Sequence, residues 1–303
     1  MRGIKFFLIL FVIIFTESII LVGTTIEAER LKIGDYVQFG WYAGEPILWR
    51  VVEDSANPNA NIGDVITGDP LLFSDRIICK KAFDAAGPHD DNEDRLNHGS
   101  NLWVSSNLRS WLNSSNEAGD VTWLCGNPPI KGSVDKNDYA SEKGFLANGN
   151  FTVYERYLIK PVAQKTLLYI VDQKLAEGGS TPYKYNDEIE DIVNNYDMAF
   201  YHNVVDYVFL LNPKQVNGVY KRFGQYYFNY REDYWLRAPD TEIYTDSSPA
   251  NVLYIRGRDG VVMYHSANNG SIGVRPALTL NLKSVIFKLG NGSNKKPYII
   301  TGQ

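Results

Sequence analysis

Two arginines sit in runs where charge is unusual. Arg237 lies in Tyr234-Trp235-Leu236-Arg237-Ala238-Pro239, and Arg275 in Gly273-Val274-Arg275-Pro276-Ala277-Leu278. A guanidinium carries five donors in a fixed fork. In an apolar strand it either grips an anion or carboxylate of a ligand, or it is buried and donates to loop carbonyls, holding irregular backbone in place. Burial is the favoured outcome, which makes Trp235, Arg237, Arg275 and Pro276 structural residues. Between the two runs lie loops and short strands carrying Tyr244, Asp246, Arg258, Tyr264, Asn268 and Asn269. Such residues supply adaptable hydrogen bonds and rigid contact area with polar tips. They form the candidate ligand-binding set, and ordinary polar loops are the competing explanation.

Other chemically capable groups are weaker. Tyr220, Phe223, Tyr226, Tyr227, Phe228, Tyr230, Tyr234 and Trp235 form an aromatic cluster that either stacks on a ligand or packs a half-buried sheet. His89-Asp90-Asp91-Asn92-Glu93-Asp94, with His98, offers oxygen ligands but lacks the alternating spacing and central glycine of a calcium loop. A solvated charge run explains it better. His202 and Asp206 alone do not make a metal site. Cys79 and Cys125 either pair, closing a loop of roughly 46 residues worth about 3–4 kcal/mol, or stay as two buried thiols. No zinc-motif His-Glu-x-x-His, phosphate-binding loop, dinucleotide fingerprint or nucleophile elbow occurs. No catalytic residue, metal or cofactor is therefore assigned, although carboxylates distant in sequence can still meet as a glycosidase pair.

The elements that must position these groups are mostly strands. Tyr36-Val37-Gln38-Phe39-Gly40 and Ile47-Leu48-Trp49-Arg50-Val51-Val52 flank Gly44-Glu45-Pro46, a hairpin pattern. Leu71-Leu72-Phe73-Ser74 is a short buried strand, and residues 85–100 read as an acidic loop. Residues 105–113 form a serine-capped helix with Leu108, Trp111 and Leu112 on one face. Further helices are expected at 154–159 and 186–196, and a strand at 204–211. Residues 252–256 and 261–264 flank Gly257-Arg258-Asp259-Gly260, the clearest hairpin in the chain. From Ile272 to Leu280 alternation predicts one strand with a fully apolar face, with Pro276 at an edge or bulge. Strands are expected at 285–287 and 298–300. The fold class is α+β, one domain over residues 29–283, with a strand or tail at 284–303 packed on it or trailing it.

Bulk properties fit an exported globular protein. Of 303 residues, 44% are apolar and 21% charged, and the net charge of -5 carries no basic stripe for nucleic acid. Arg2 and Lys5 precede an apolar run over residues 6–22, broken at Thr16-Glu17-Ser18. That pattern is a signal peptide over residues 1–28, processed after Ala28 or Gly23, rather than an anchor, since Glu17 is costly inside a bilayer. The localisation expected is secreted or cell-surface, with membrane contact only through an uncleaved signal.

In order along the chain, Ile47-Leu48-Trp49-Arg50-Val51, Leu71-Leu72-Phe73-Ser74, Leu108-Arg109-Ser110-Trp111-Leu112-Asn113, Val208-Phe209-Leu210-Leu211, Tyr234-Trp235-Leu236-Arg237 and Gly273-Val274-Arg275-Pro276-Ala277-Leu278 form a series. The series resembles the bacterial exported domain of unknown function 6273, over most of the mature chain. More distantly the closing strands are similar to C-type-lectin-like folds, including the formylglycine-generating, sulfatase-modifying group. The resemblance implies a C-type-lectin-like domain with short antiparallel sheets, few helices, neighbouring termini and a loop-rich ligand face. The chain lacks the closely spaced cysteine pair of the formylglycine-generating oxidases and the Glu-Pro-Asn or Gln-Pro-Asp tripeptides of calcium-dependent lectins. Copper–thiol chemistry and calcium-mediated sugar binding do not carry over. The expected function is non-catalytic recognition of a carbohydrate or protein ligand at the cell surface. An exported glycoside-type hydrolase and a structural envelope protein are the alternatives.

Overall fold

Turn chemistry sets the first element. Strands β1 (Tyr36–Tyr42) and β2 (Glu45–Asp54) run antiparallel, with Tyr36 opposite Arg50 and Tyr42 opposite Glu45. Ala43 and Gly44 make the reversal at φ 52° and 85°, the positive-φ pair that a two-residue hairpin loop requires. The computed structural model describes residues 30–87, 90–124, 139–184, 194–224, 232–241, 247–284 and 287–300. The signal segment, Cys125, Tyr244, Asp246 and most of the helix expected at 186–196 lie outside them. Strand β3 (Pro70–Ser74) lines up beside β2, and β4 (Cys79–Lys80) departs to a second sheet.

Capping explains the helices. The acidic loop contains a short one, α1 (Glu93–His98), whose N-terminal amides of Asp94 and Arg95 donate to the Asn92 side chain. Helix α2 (Asn107–Leu112) is capped by Ser106, as its sequence anticipates, and buries Leu108, Trp111 and Leu112. In α3 (Val153–Leu158), Thr152 and Glu155 form a reciprocal capping box. Strands β5 (Ile159–Lys160) and β6 (Val162–Leu167) follow. The strand expected at 204–211 divides into β7 (Tyr201–Asp206) and β8 (Val208–Phe209). Next comes α4 (Pro213–Phe223), which the sequence reading did not anticipate. Asn212 and Gln215 cap it reciprocally, Pro213 occupies its first turn, and it buries Val216 and Val219.

The second half of the chain supplies β9 (Tyr234–Pro239), the hairpin β10 (Asn251–Ile255) and β11 (Val262–Ser266), and then two strands in place of one. The run expected as a single strand breaks at Arg275 and Pro276 into β12 (Gly273–Val274) and β13 (Ala277–Leu280). Proline cannot donate a ladder bond, and at this break the chain passes from one sheet to the other. Both faces of the run are buried, not one. The tail folds as β14 (Phe287–Leu289) and β15 (Tyr298–Ile300).

Among the described residues the sheets are mixed and the helices few and short, an α+β arrangement. The larger sheet has the order β14-β15-β1-β2-β3-β13-β5, with β8 also on β13; the second runs β11-β10-β9-β12-β4, and β6 and β7 form a ribbon. The tail does not trail: β15 lies parallel to β1, Val37 opposite Tyr298. The core is aromatic. Trp49, Trp103, Trp111 and Trp235 are all fully buried. Phe83 meets Trp103 and Trp235 with ring centroids 5.7 and 6.0 Å away, tilted and edge-to-face contacts that add to area burial.

Candidate functional site

Strand pairing brings the two arginine runs side by side, Gly273 of β12 opposite Tyr234 of β9. Arg237 is fully buried. Its Nε donates to the Leu210 carbonyl (3.1 Å), Nη1 to the Lys165 carbonyl (2.7 Å) and Thr166 Oγ1 (3.0 Å), and Nη2 to Gln164 Oε1 (2.9 Å). Burial lowers its pKa, with the neighbouring Tyr196 and Asp206 opposing. Arg275 is 1% exposed. Its Nε donates to the Ser74 carbonyl (2.8 Å) and Nη2 to the Asp75 carbonyl (2.9 Å). The guanidinium also rests 4.1 Å from the centroid of Phe73 and 5.1 Å from that of Tyr234. Trp235 Nε1 reaches the Lys81 carbonyl at 2.9 Å, and the Pro276 carbonyl accepts from Ser74 N–H at 2.9 Å. These four residues hold crossing segments of backbone.

The predicted ligand-binding set is not gathered at one point. Arg258 stands at the tip of the β10–β11 hairpin, 73% exposed, its Nε 3.3 Å from Asp259, which also pairs with Arg256 at 2.8 Å. Tyr264 lies midway along β11 opposite Leu253 and is 39% exposed. Asn268 and Asn269 sit beyond the far end of β11, a strand about 16 Å long for five residues. There Asn268 donates its N–H to the His98 carbonyl (2.9 Å) and its Nδ2 to the Asn97 carbonyl (3.3 Å). Asn269 Oδ1 accepts from Ser271 N–H at 2.8 Å. The loop after β11 is thus tied to α1. Of the aromatic cluster, Tyr234 and Trp235 are core, Tyr220 and Phe223 are half-buried against it, and residues 226–230 lie outside the described residues.

A residue that sequence alone did not single out organises this rim. Arg95 of α1 is buried, and its fork takes both oxygens of Asp172, Asn101 Oδ1 (3.0 Å) and the Pro249 carbonyl (3.0 Å). Its pKa is raised: burial opposes its charge, but the Asp172 and Asp90 carboxylates outweigh that. The acidic run has local duties: Asp90 pairs with Arg95 at 3.3 Å, Asn92 caps α1, and Asp94 accepts from Ser248 Oγ at 3.0 Å. Among the described residues no group of three or more His, Cys, Asp or Glu is arranged to hold a metal. His202 Nδ1 lies 3.0 Å from Glu177, whereas Asp206 is buried and accepts from Trp103 Nε1 (2.8 Å) and Arg109 Nε (2.7 Å). They do not converge.

A second unanticipated cluster lies behind β4. Lys81 Nζ donates to Glu142, and Tyr42 Oη donates to the other Glu142 oxygen at 2.6 Å. The ammonium sits 4.6 Å from the ring centroid of Tyr139 and 4.9 Å from that of Trp111, an internal aromatic cage. Burial pushes the Cys79 thiol beside them up to about 12, with Lys81 opposing and Glu142 adding. Such a thiol stays protonated at neutral pH and is a poor nucleophile.

The family model described as Domain of unknown function (DUF6273) matches residues 67–282. No curated protein and no solved structure matches the chain.

Proposed function

We propose that this chain, which belongs to the DUF6273 family, is a non-catalytic binding module displayed or secreted by a bacterial cell, of C-type-lectin-like fold, recognising a carbohydrate or protein ligand. The recognition surface is the outer side of the β10–β11 hairpin and the loop after it, with Tyr264, Asn268 and Asn269 as contacts and Arg258 at its tip; Tyr244 and Asp246, outside the described residues, precede β10 in sequence. One observation carries this reading: Arg237 and Arg275 are buried, and their guanidinium groups donate to backbone carbonyls and neutral side chains. A scaffold fastened from inside leaves its outer loops free to vary for recognition. Adjacent first and last strands and the scarcity of helix support the lectin-like assignment. The basic n-region and apolar run of residues 1–22 support export, and no helix among the described residues is long and apolar enough to cross a membrane.

The test is an array of glycans, cell-wall fragments and surface proteins probed with the mature chain, with and without calcium. The expected result is one retained ligand class, weakened about tenfold or more by Tyr264→Ala, as for an aromatic anchor. Silence across the array, or release of reducing sugar from any polysaccharide, overturns the proposal; the latter result establishes the hydrolase.

A further inference from the structure

A cleft of about 260 Å³ opens between the β1–β2 turn and the 74–78 crossover, and none of the proposed recognition residues of the β10–β11 hairpin lines it. Tyr42, Ile47, Leu48, Ile77 and Ile78 provide most of its apolar lining. The wall is preformed. Arg275 holds the Ser74 and Asp75 carbonyls, Asp75 N–H donates to the Leu48 carbonyl (2.8 Å), and Ile78 N–H to the Val274 carbonyl (2.9 Å). The Tyr42 phenol is fixed on Glu142, which Lys81 holds in turn. A pocket already rigid avoids the ordering cost that weakens most binding.

The rim carries charge of both signs. Arg76 is 76% exposed, and the Asp75 carboxylate is 3.9 Å away, too long for a hydrogen bond. Glu45, on the opposite wall, is exposed. An apolar floor below the exposed Arg76 guanidinium and the exposed Glu45 carboxylate complements a small zwitterion with a greasy substituent. The volume lies below the roughly 300–1,000 Å³ of drug-sized sites, so the occupant is of amino-acid size. A monosaccharide fits the volume but leaves hydroxyls unpaired against the isoleucines, which is costly.

We propose that this cleft binds a free apolar α-amino acid, its side chain on the Tyr42–Ile77–Ile78 floor, its carboxylate on Arg76 and its ammonium on Glu45. This site is independent of the hairpin surface, so either can fail without the other. The experiment is calorimetric titration of the full chain with L-leucine, leucinamide and N-acetylleucine at up to millimolar concentration. L-leucine gives a saturable isotherm, and each blocked analogue binds about two- to fivefold more weakly, as loss of one partly exposed ion pair implies. Arg76→Ala and Glu45→Ala each weaken L-leucine by a similar factor while leaving the melting temperature unchanged, since both side chains lie on the surface. Absence of heat with L-leucine, equal affinity for all three ligands, or full affinity in both variants overturns the proposal.

Discussion

Arg275 connects chemistry to architecture at single-residue scale. Arg275→Met keeps the bulk over Phe73 but leaves the Ser74 and Asp75 carbonyls unpaired. Each orphaned acceptor costs about 1–3 kcal/mol, so chemical denaturation should record a loss of about 2–6 kcal/mol, with Arg275→Lys falling between. Asp84 supplies a pH-dependent counterpart. It is buried, its oxygens accept from the Ser100 and Asn107 amides at 3.0 Å, and burial pushes its carboxyl up to about 7 against their pull. A carboxyl whose folded pKa exceeds its unfolded value of about 4 holds its proton more tightly when folded. Its contribution is therefore fully present below about pH 4 and is lost as pH rises through about 7. Unfolding free energies measured between about pH 5 and 8 should fall by up to about 1.4 kcal/mol per unit from this group, and Asp84→Asn should flatten that slope. The burial of Arg237 and Arg275 is legible in sequence, because apolar neighbours on both sides draw them into the core. That of Arg95 is not: it sits in a polar stretch, and Asp172 and Pro249 reach it only through tertiary structure.

Among the elements, local turn and cap signals were the readable part. Both hairpins, α2 and α3 form where their sequence patterns put them. The α4 helix was hidden because the aromatic residues around Tyr220 and Phe223 suggested sheet, although Asn212, Pro213 and Gln215 spelled out its start. Asn212→Ala should cost about 1 kcal/mol in thermal or chemical unfolding. The β10–β11 hairpin has a stricter demand. A Cβ on Gly257 would stand 2.3 Å from the Glu232 backbone, so Gly257→Ala must displace the hairpin from β9. Amide exchange in Asn251–Ile255 and Val262–Ser266 should then rise well above that in Tyr36–Tyr42. Equal protection in the variant and the parent would show that the hairpin is not seated through this contact.

For the whole molecule, the sequence indicated an α+β class and strands near the right places, but not how the sheets exchange chain. Strand order depends on distant pairings such as Val37 with Tyr298 and Thr279 with Lys160, for which local pattern carries no signal. Pro276 gave the nearest hint, as a residue unable to continue a ladder. The place of the tail is directly testable. Removing residues 284–303 strips β15 from β1 and exposes an unpaired sheet edge. The truncated chain should melt at lower temperature and associate on gel filtration. An unchanged melt would mean that the last strands add nothing to the fold. The same pairing imposes an order in time. As the polypeptide is made, β1 waits for β15, which is synthesised long after it, so this sheet cannot close until that later strand has emerged. For the export proposed above, that delay would leave the sheet open until β15 has followed β1 across the membrane.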